Sequence, residues 1–448
     1  MSMFRRLAVS RKKILPINIE NYLTIEALED DMSVSFSVNE CEYCIDGSGK
    51  WFSLSPLAST PSIKVGQVIS FRASGLTPTS TEGIGTFSIS KKCKLRGCVM
   101  SMVDDKNIDG YNIVSNNYQF LKLFNGCDSI VEISHSFLPA TTLAEKCYYY
   151  MFGGCTSLTI VPNLPSTDLA FQCYYAMFRN CTSLVTAPEL PAATLANYCY
   201  TSMFEGCTSL RTAPELPATT LTDGCYMYMF EGCTSLTTAP ELPAASLGIS
   251  CHYAMFRNCT SLVTAPELPA ATLAEKCYQE MFKGCTSLTT APELPAMNLA
   301  NRCYYTMFEG CTSLTTASKL PATTLVKECY MFMFERCTSL VTAPELPATT
   351  LADYCYRFMF ERCTSLVTAP ELPATTLAKQ CYDGMFRYCN SLNYIKAMFL
   401  TEPSSSYAYE WVSGVAYTGT FVKNAAAMWD VRGVHAIPNN WAVITSES

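Results

Sequence analysis

Side chains able to do covalent or metal chemistry are few. Three histidines, His135, His252 and His435, serve the whole 448-residue chain. None stands at a motif spacing from a serine or cysteine, and no glycine-rich phosphate loop follows a strand-like run. No catalytic residue is therefore expected. Cys41-x-x-Cys44 and Cys93-x4-Cys98 are the one arrangement with metal-ligand character. Two thiolate pairs on two hairpins can hold zinc tetrahedrally. The same four residues are open to disulfide pairing, or to a structural role as free thiols. No metal and no cofactor is assigned.

Two other sets recur along the chain. Glu189, Glu215, Glu241, Glu267, Glu293, Glu345 and Glu371 occupy one position of a repeated phrase, with Asn163 and Lys319 substituting for the carboxylate in two units. Stacked at strand spacing, like charges repel and must be solvated or neutralised. The column reads as a solubilising edge, or as a site for a divalent cation or a cationic ligand. The second set is the variable pair after each "CY", as in Tyr149-Tyr150, Met227-Tyr228, Met331-Phe332 and Arg357-Phe358. Tyr149, Tyr150, Tyr228, Phe332 and Phe358 are the candidate contact residues for a sugar or a protein. The alternative is that these rings pack against a neighbouring unit.

What must position them is a 26-residue phrase, written about ten times from Cys147 onward and preceded by a half-repeat at "YQFLKLFNGCDSI". Of 25 cysteines, all but Cys41, Cys44, Cys93 and Cys98 sit at two fixed positions of the phrase or its half-repeat. Cysteine here reads as a small buried hydrophobe with a weak S–H donor. Within one unit Leu143, Cys147, Met151 and Cys155 fall four apart, with Tyr148 and Phe152 beside them. That spacing predicts one apolar face of a helix. "LTTAPELP" predicts a brief strand and a proline corner. Such a unit cannot bury its edge alone, so stacking is required.

The expected architecture is an α/β solenoid of about ten units over residues 118–392. An N-terminal arm at 1–19, a small all-β, sandwich-like docking domain at 20–100 and a linker at 101–117 precede it. A C-terminal cap at 393–448 follows, with Trp411 and Trp441 covering the open end. The net charge of −7 argues against a nucleic-acid partner. No secretion signal and no membrane-spanning run are read in the sequence.

The aromatic-x-x-Cys-x-x-Leu spacing of Phe152, Cys155 and Leu158, followed by Leu164-Pro165 and renewed in every unit, resembles the BspA-like, Treponema-type leucine-rich repeat. The resemblance implies a leucine-rich-repeat solenoid and a non-enzymatic binding or adhesion role at bacterial surfaces. The layout of a β-domain plus repeats, and the tail "WVSGVAYTGTFVKN", also resemble proteins of phages and prophages of gut Bacteroidetes-type bacteria. The favoured expectation is a phage or prophage structural or host-attachment component in the virion. It would meet a host surface glycan or protein through the repeats and other virion proteins through the N-terminal domain. The alternatives are a bacterial cell-surface adhesin and an intracellular protein-interaction scaffold.

Overall fold

The computed structural model describes residues 17–37, 39–103 and 112–446. Most of the expected arm (1–19) and about half of the expected linker (101–117) lie outside those residues. The N-terminal part of the described chain, residues 23–133, is built on a six-stranded sheet. β1 (Leu23–Ala27), β3 (Cys41–Ile45), β4 (Phe52–Leu54), β5 (Val68–Arg72), β7 (Cys93–Arg96) and β8 (Ile130–Ile133) run in the order β4-β3-β5-β1-β7-β8. All pairings are antiparallel except β7 with β8, which is parallel. β2 (Val34–Phe36) and β6 (Phe87–Ile89) form a separate antiparallel ribbon. Its Phe87 meets Phe71 of β5 edge-on, at 5.1 Å between ring centres. At the far end β9 (Tyr394–Ala397), β10 (Thr420–Asn424) and β11 (Ala442–Ser446) make a three-stranded parallel sheet, order β11-β10-β9.

The α/β solenoid expected from the sequence is not what forms. The described residues contain no α-helix, only two short 3-10 turns at Ile19–Asn21 and Val99–Met102. The molecule is mostly β, with two larger discrete sheets and a long run of turn-rich coils between them. The segment read as a helix is a ribbon of consecutive turns. Backbone N–H groups there alternate between two destinations. Tyr149, Met151, Gly153 and Cys155 each donate three residues back within their own coil, to Lys146, Tyr148, Tyr150 and Phe152. Tyr148, Tyr150, Phe152 and Gly154 donate instead to Cys173, Tyr175, Met177 and Arg179 of the next coil. Lys146, Tyr150 and Gly154 take positive φ of 53°, 53° and 75°, one at every fourth residue. No α-helix tolerates that.

The side chains follow the same period. Cys147 and Tyr148 are buried, Tyr149 and Tyr150 half-buried, Met151 and Phe152 buried. A strict four-residue repeat drifts by about 40° per step around a helix of 3.6 residues per turn. It stays in phase on this ribbon. The expected strand is equally brief. Thr186↔Thr212, Thr238↔Thr264 and their successors pair through single parallel bridges. Pro188 and Pro191 follow Thr186 too closely for a ladder to grow, because proline has no N–H to donate.

The core is a set of columns. Phenylalanine rings stack from Phe87 and Phe124 through Phe152 and Phe178 to Phe360 and Phe386, spaced 5.2–5.9 Å. Trp411, fully buried, closes that column at 6.0 Å from Phe386 and donates its indole N–H to the Ala436 carbonyl. A parallel tyrosine column runs from Tyr148 to Tyr382. His252 replaces one tyrosine, lying between Tyr226 and Tyr278, and burial lowers its pKa to about 3. It is a neutral packed ring.

Candidate functional site

On the ribbon at least one of the two residues after the Cys-Tyr pair is part-exposed in most coils, though Thr201-Ser202 and Asp383-Gly384 are buried, and their columns gather the variable aromatic residues into three clusters. In the first, Tyr149 stacks on Tyr175 at 4.7 Å with Tyr150 tilted against both. Arg179 donates to the Tyr150 hydroxyl at 2.8 Å and pairs with Glu205 at 2.6 Å. Burial, then the neighbouring Tyr149, pushes the Tyr175 hydroxyl up to about 12, so it stays a neutral hydrogen-bonding group. The second cluster sets Tyr228 edge-on to Tyr253 at 5.0 Å, with the Arg257 guanidinium 5.3 Å over Tyr228. Tyr253 and Arg257 both bond Glu280, at 3.0 and 2.6 Å. In the third, Phe332 stacks on Phe358 at 5.0 Å and meets Tyr305 edge-on. Arg357 and Arg387 cover Phe358 at 4.9 and 5.1 Å.

All five aromatic residues singled out from the sequence thus lie on this face, half-buried because each leans on a neighbour. Tyr175, Tyr253 and Tyr305 complete the clusters, and the reading by variable pairs overlooked them. Their signal was present: each occupies the position of Tyr149 one or more periods on.

The carboxylate column lies on another edge. Glu189, Glu215, Glu241, Glu267, Glu293, Glu345 and Glu371 are all exposed, each between two prolines of a corner. Adjacent corners leave shallow notches, one of about 310 Å3 walled by Pro214, Pro217, Pro240 and Pro243 around Glu215 and Glu241. Lys396 pairs with Glu371 at 2.9 Å at the C-terminal end of the column. The aromatic clusters and the carboxylates therefore do not converge on one site.

Nor do the two cysteine pairs. Strands β5 and β1 lie between β3, which carries Cys41 and Cys44, and β7, which begins at Cys93. Neighbouring strands are about 4.8 Å apart, which puts the pairs beyond a shared coordination sphere. Burial pushes the Cys41 thiol up to about 12, where it remains protonated. Among the described residues no three His, Cys, Asp or Glu side chains are grouped to hold a metal.

The cysteines of the repeats have a clear structural use. Cys181 donates its S–H to the Phe152 carbonyl at 3.2 Å, Cys207 to Phe178 at 3.1 Å, and Cys389 to Phe360 at 3.0 Å. Each bond links a coil to the one before it.

Part-exposed columns of changing side chains over a continuous buried core are the layout of a repeat array. The family model of the BspA type leucine rich repeat region matches in 6 copies, over residues 121–263, 196–304, 219–340 and 275–413, and the chain belongs to that family. Proteins of this family are repeat scaffolds of binding and adhesion, and the chain shares that repeat. No curated protein matches it.

Proposed function

We propose that the chain is a bacterial cell-surface adhesin of the BspA-like type that grips a host surface glycan or protein through the turn face of its coils. The observation that carries this reading is the sorting of side chains within one unit. Inward letters hardly change, whereas the pair after Cys-Tyr changes from coil to coil and, where it is part-exposed, concentrates rings beside arginines. Half-buried rings held by neighbours lose little entropy on binding. Several such clusters on one array add avidity without a deep pocket. A phage host-attachment role would use the same face, but the family match offers nothing in its favour.

The test is binding of the full-length protein to host epithelial cells and to a panel of surface glycans and matrix proteins. The variant combines Tyr149→Ser with Tyr150→Asn, Tyr228→Asn, Phe332→Asn and Phe358→Asn. Asparagine is chosen because it tolerates the positive φ of the last four positions. Binding is expected to weaken by about tenfold or more, as for loss of aromatic anchors, while the protein stays folded. Unchanged binding would place the contact surface elsewhere.

A further inference from the structure

A second surface of the array has a different chemistry. The residue just before the second cysteine of each coil has positive φ throughout, and from Gly126 onward it is glycine or asparagine in all coils but three, with Gly414 before Val415 continuing the column. The exceptions are consecutive: Arg336, Arg362 and Tyr388, at φ of 60°, 62° and 60°. Their side chains are exposed, so core packing does not demand them. Bulky L-residues held in the left-handed region on an exposed surface point to a use outside the fold.

These three residues line one groove of about 540 Å3 together with Thr312, Thr338, Thr364 and Asn390. The Arg362 guanidinium lies 5.3 Å over the Tyr388 ring. Gly414 leaves room for that ring, since a Cβ there would sit 2.8 Å from it. The arginines are only loosely neutralised. Glu335 approaches Arg336 at 3.5 Å, and Glu361 approaches Arg362 at 3.8 Å. Glu361 is already engaged by Arg387 at 2.6 Å. Two cations one coil apart repel unless an anion lies between them.

We infer that this groove binds an acidic polysaccharide of the host glycan coat. Arg336 and Arg362 take successive sulfate or carboxylate groups, the Tyr388 ring backs a sugar face, and the threonine hydroxyls meet sugar hydroxyls. An acidic peptide or a single-stranded nucleic acid would satisfy the arginines but leave the hydroxyl column unused. Nucleic acid is further disfavoured by the net charge of −7.

The test uses the full chain and five probes: heparin, polygalacturonate, neutral dextran, poly-glutamate and oligo-thymidine. Heparin or polygalacturonate is expected to bind, more weakly as salt rises, and dextran not to bind. Arg336→Asn with Arg362→Asn, which restores a residue the column already uses, is expected to cut that affinity by about tenfold, as for loss of paired charge-assisted contacts. The melting temperature should not fall. Tyr388→Asn should weaken binding in both low and high salt, because its contribution is not ionic. Equal retention of poly-glutamate or oligo-thymidine would overturn the inference in favour of plain anion exchange. Undiminished heparin and polygalacturonate binding by the double variant would overturn it as well. The turn-face variant described above should keep heparin binding, so failure of either assignment is visible separately.

Discussion

Glu335 shows how a repeat can trap a charge. In its column Arg179 faces Glu205, Arg257 faces Glu231, Lys283 pairs with Glu309 at 2.8 Å and Arg387 with Glu361 at 2.6 Å. Glu335 instead stands between Glu309 and Glu361, with Arg336 beside it. Burial first, then these two carboxylates, push its pKa from 4.5 up to about 7. The folded state therefore holds the proton more tightly than the unfolded chain. This contribution to stability is fully present below pH 4.5 and is lost as pH rises through 7. Glu335→Gln should stabilise the protein by about 1–2 kcal/mol at pH 8, after discounting for solvent screening of a part-exposed group. The gain should vanish below pH 4.5. Urea denaturation of both proteins at the two pH values measures it, and a pH-independent difference would remove the charge from the explanation.

The turn ribbon is the element that decides the architecture, and glycine tests its geometry in two ways. At Gly310 (φ 74°) an added Cβ would meet only the Gly284 backbone at 3.9 Å. At Gly384 (φ 56°) it would strike the Phe358 ring at 2.1 Å. Gly310→Ala should therefore cost only the left-handed strain, about 1 kcal/mol. Gly384→Ala should cost about 2–3 kcal/mol, because a stacked ring must also move. Equal costs in denaturant melts would mean that the Phe332–Phe358 stack yields freely. The four-residue spacing that defines this ribbon was legible at Leu143, Cys147, Met151 and Cys155. A helix would spread these four residues over about 120°, the width of an ordinary buried stripe, so the spacing alone fits a helix as well, and only a period of four keeps adjacent pairs together on the buried side.

Across the whole molecule, hydrogen bonds and ring columns run from coil to coil without a break, from Phe87 in the β2–β6 ribbon to Trp411 near the far sheet. Each coil touches chiefly its neighbours, so loss of one whole period should be tolerated. Deleting Cys225–Ser250 should leave a folded, shorter array, whereas removing only its first 13 residues should shift every column out of register. Circular dichroism and a cooperative melt distinguish them; equal unfolding of both would disprove nearest-neighbour stacking. The sequence by itself determined the 26-residue period, the family, and the Phe, Tyr, Cys and Leu letters of the core. Those depend on burial, and burial is written in side-chain type. It also marked Tyr149, Tyr150, Tyr228, Phe332 and Phe358 as outward. Only the tertiary structure decided that alternate N–H groups leave their own coil for a carbonyl 25 residues ahead, as from Tyr148 to Cys173. That choice turns a helix into a ribbon, brings Tyr175 onto Tyr149, and sets Arg336 beside Arg362 and Tyr388. No local propensity encodes it, because its energy lies in contacts between coils.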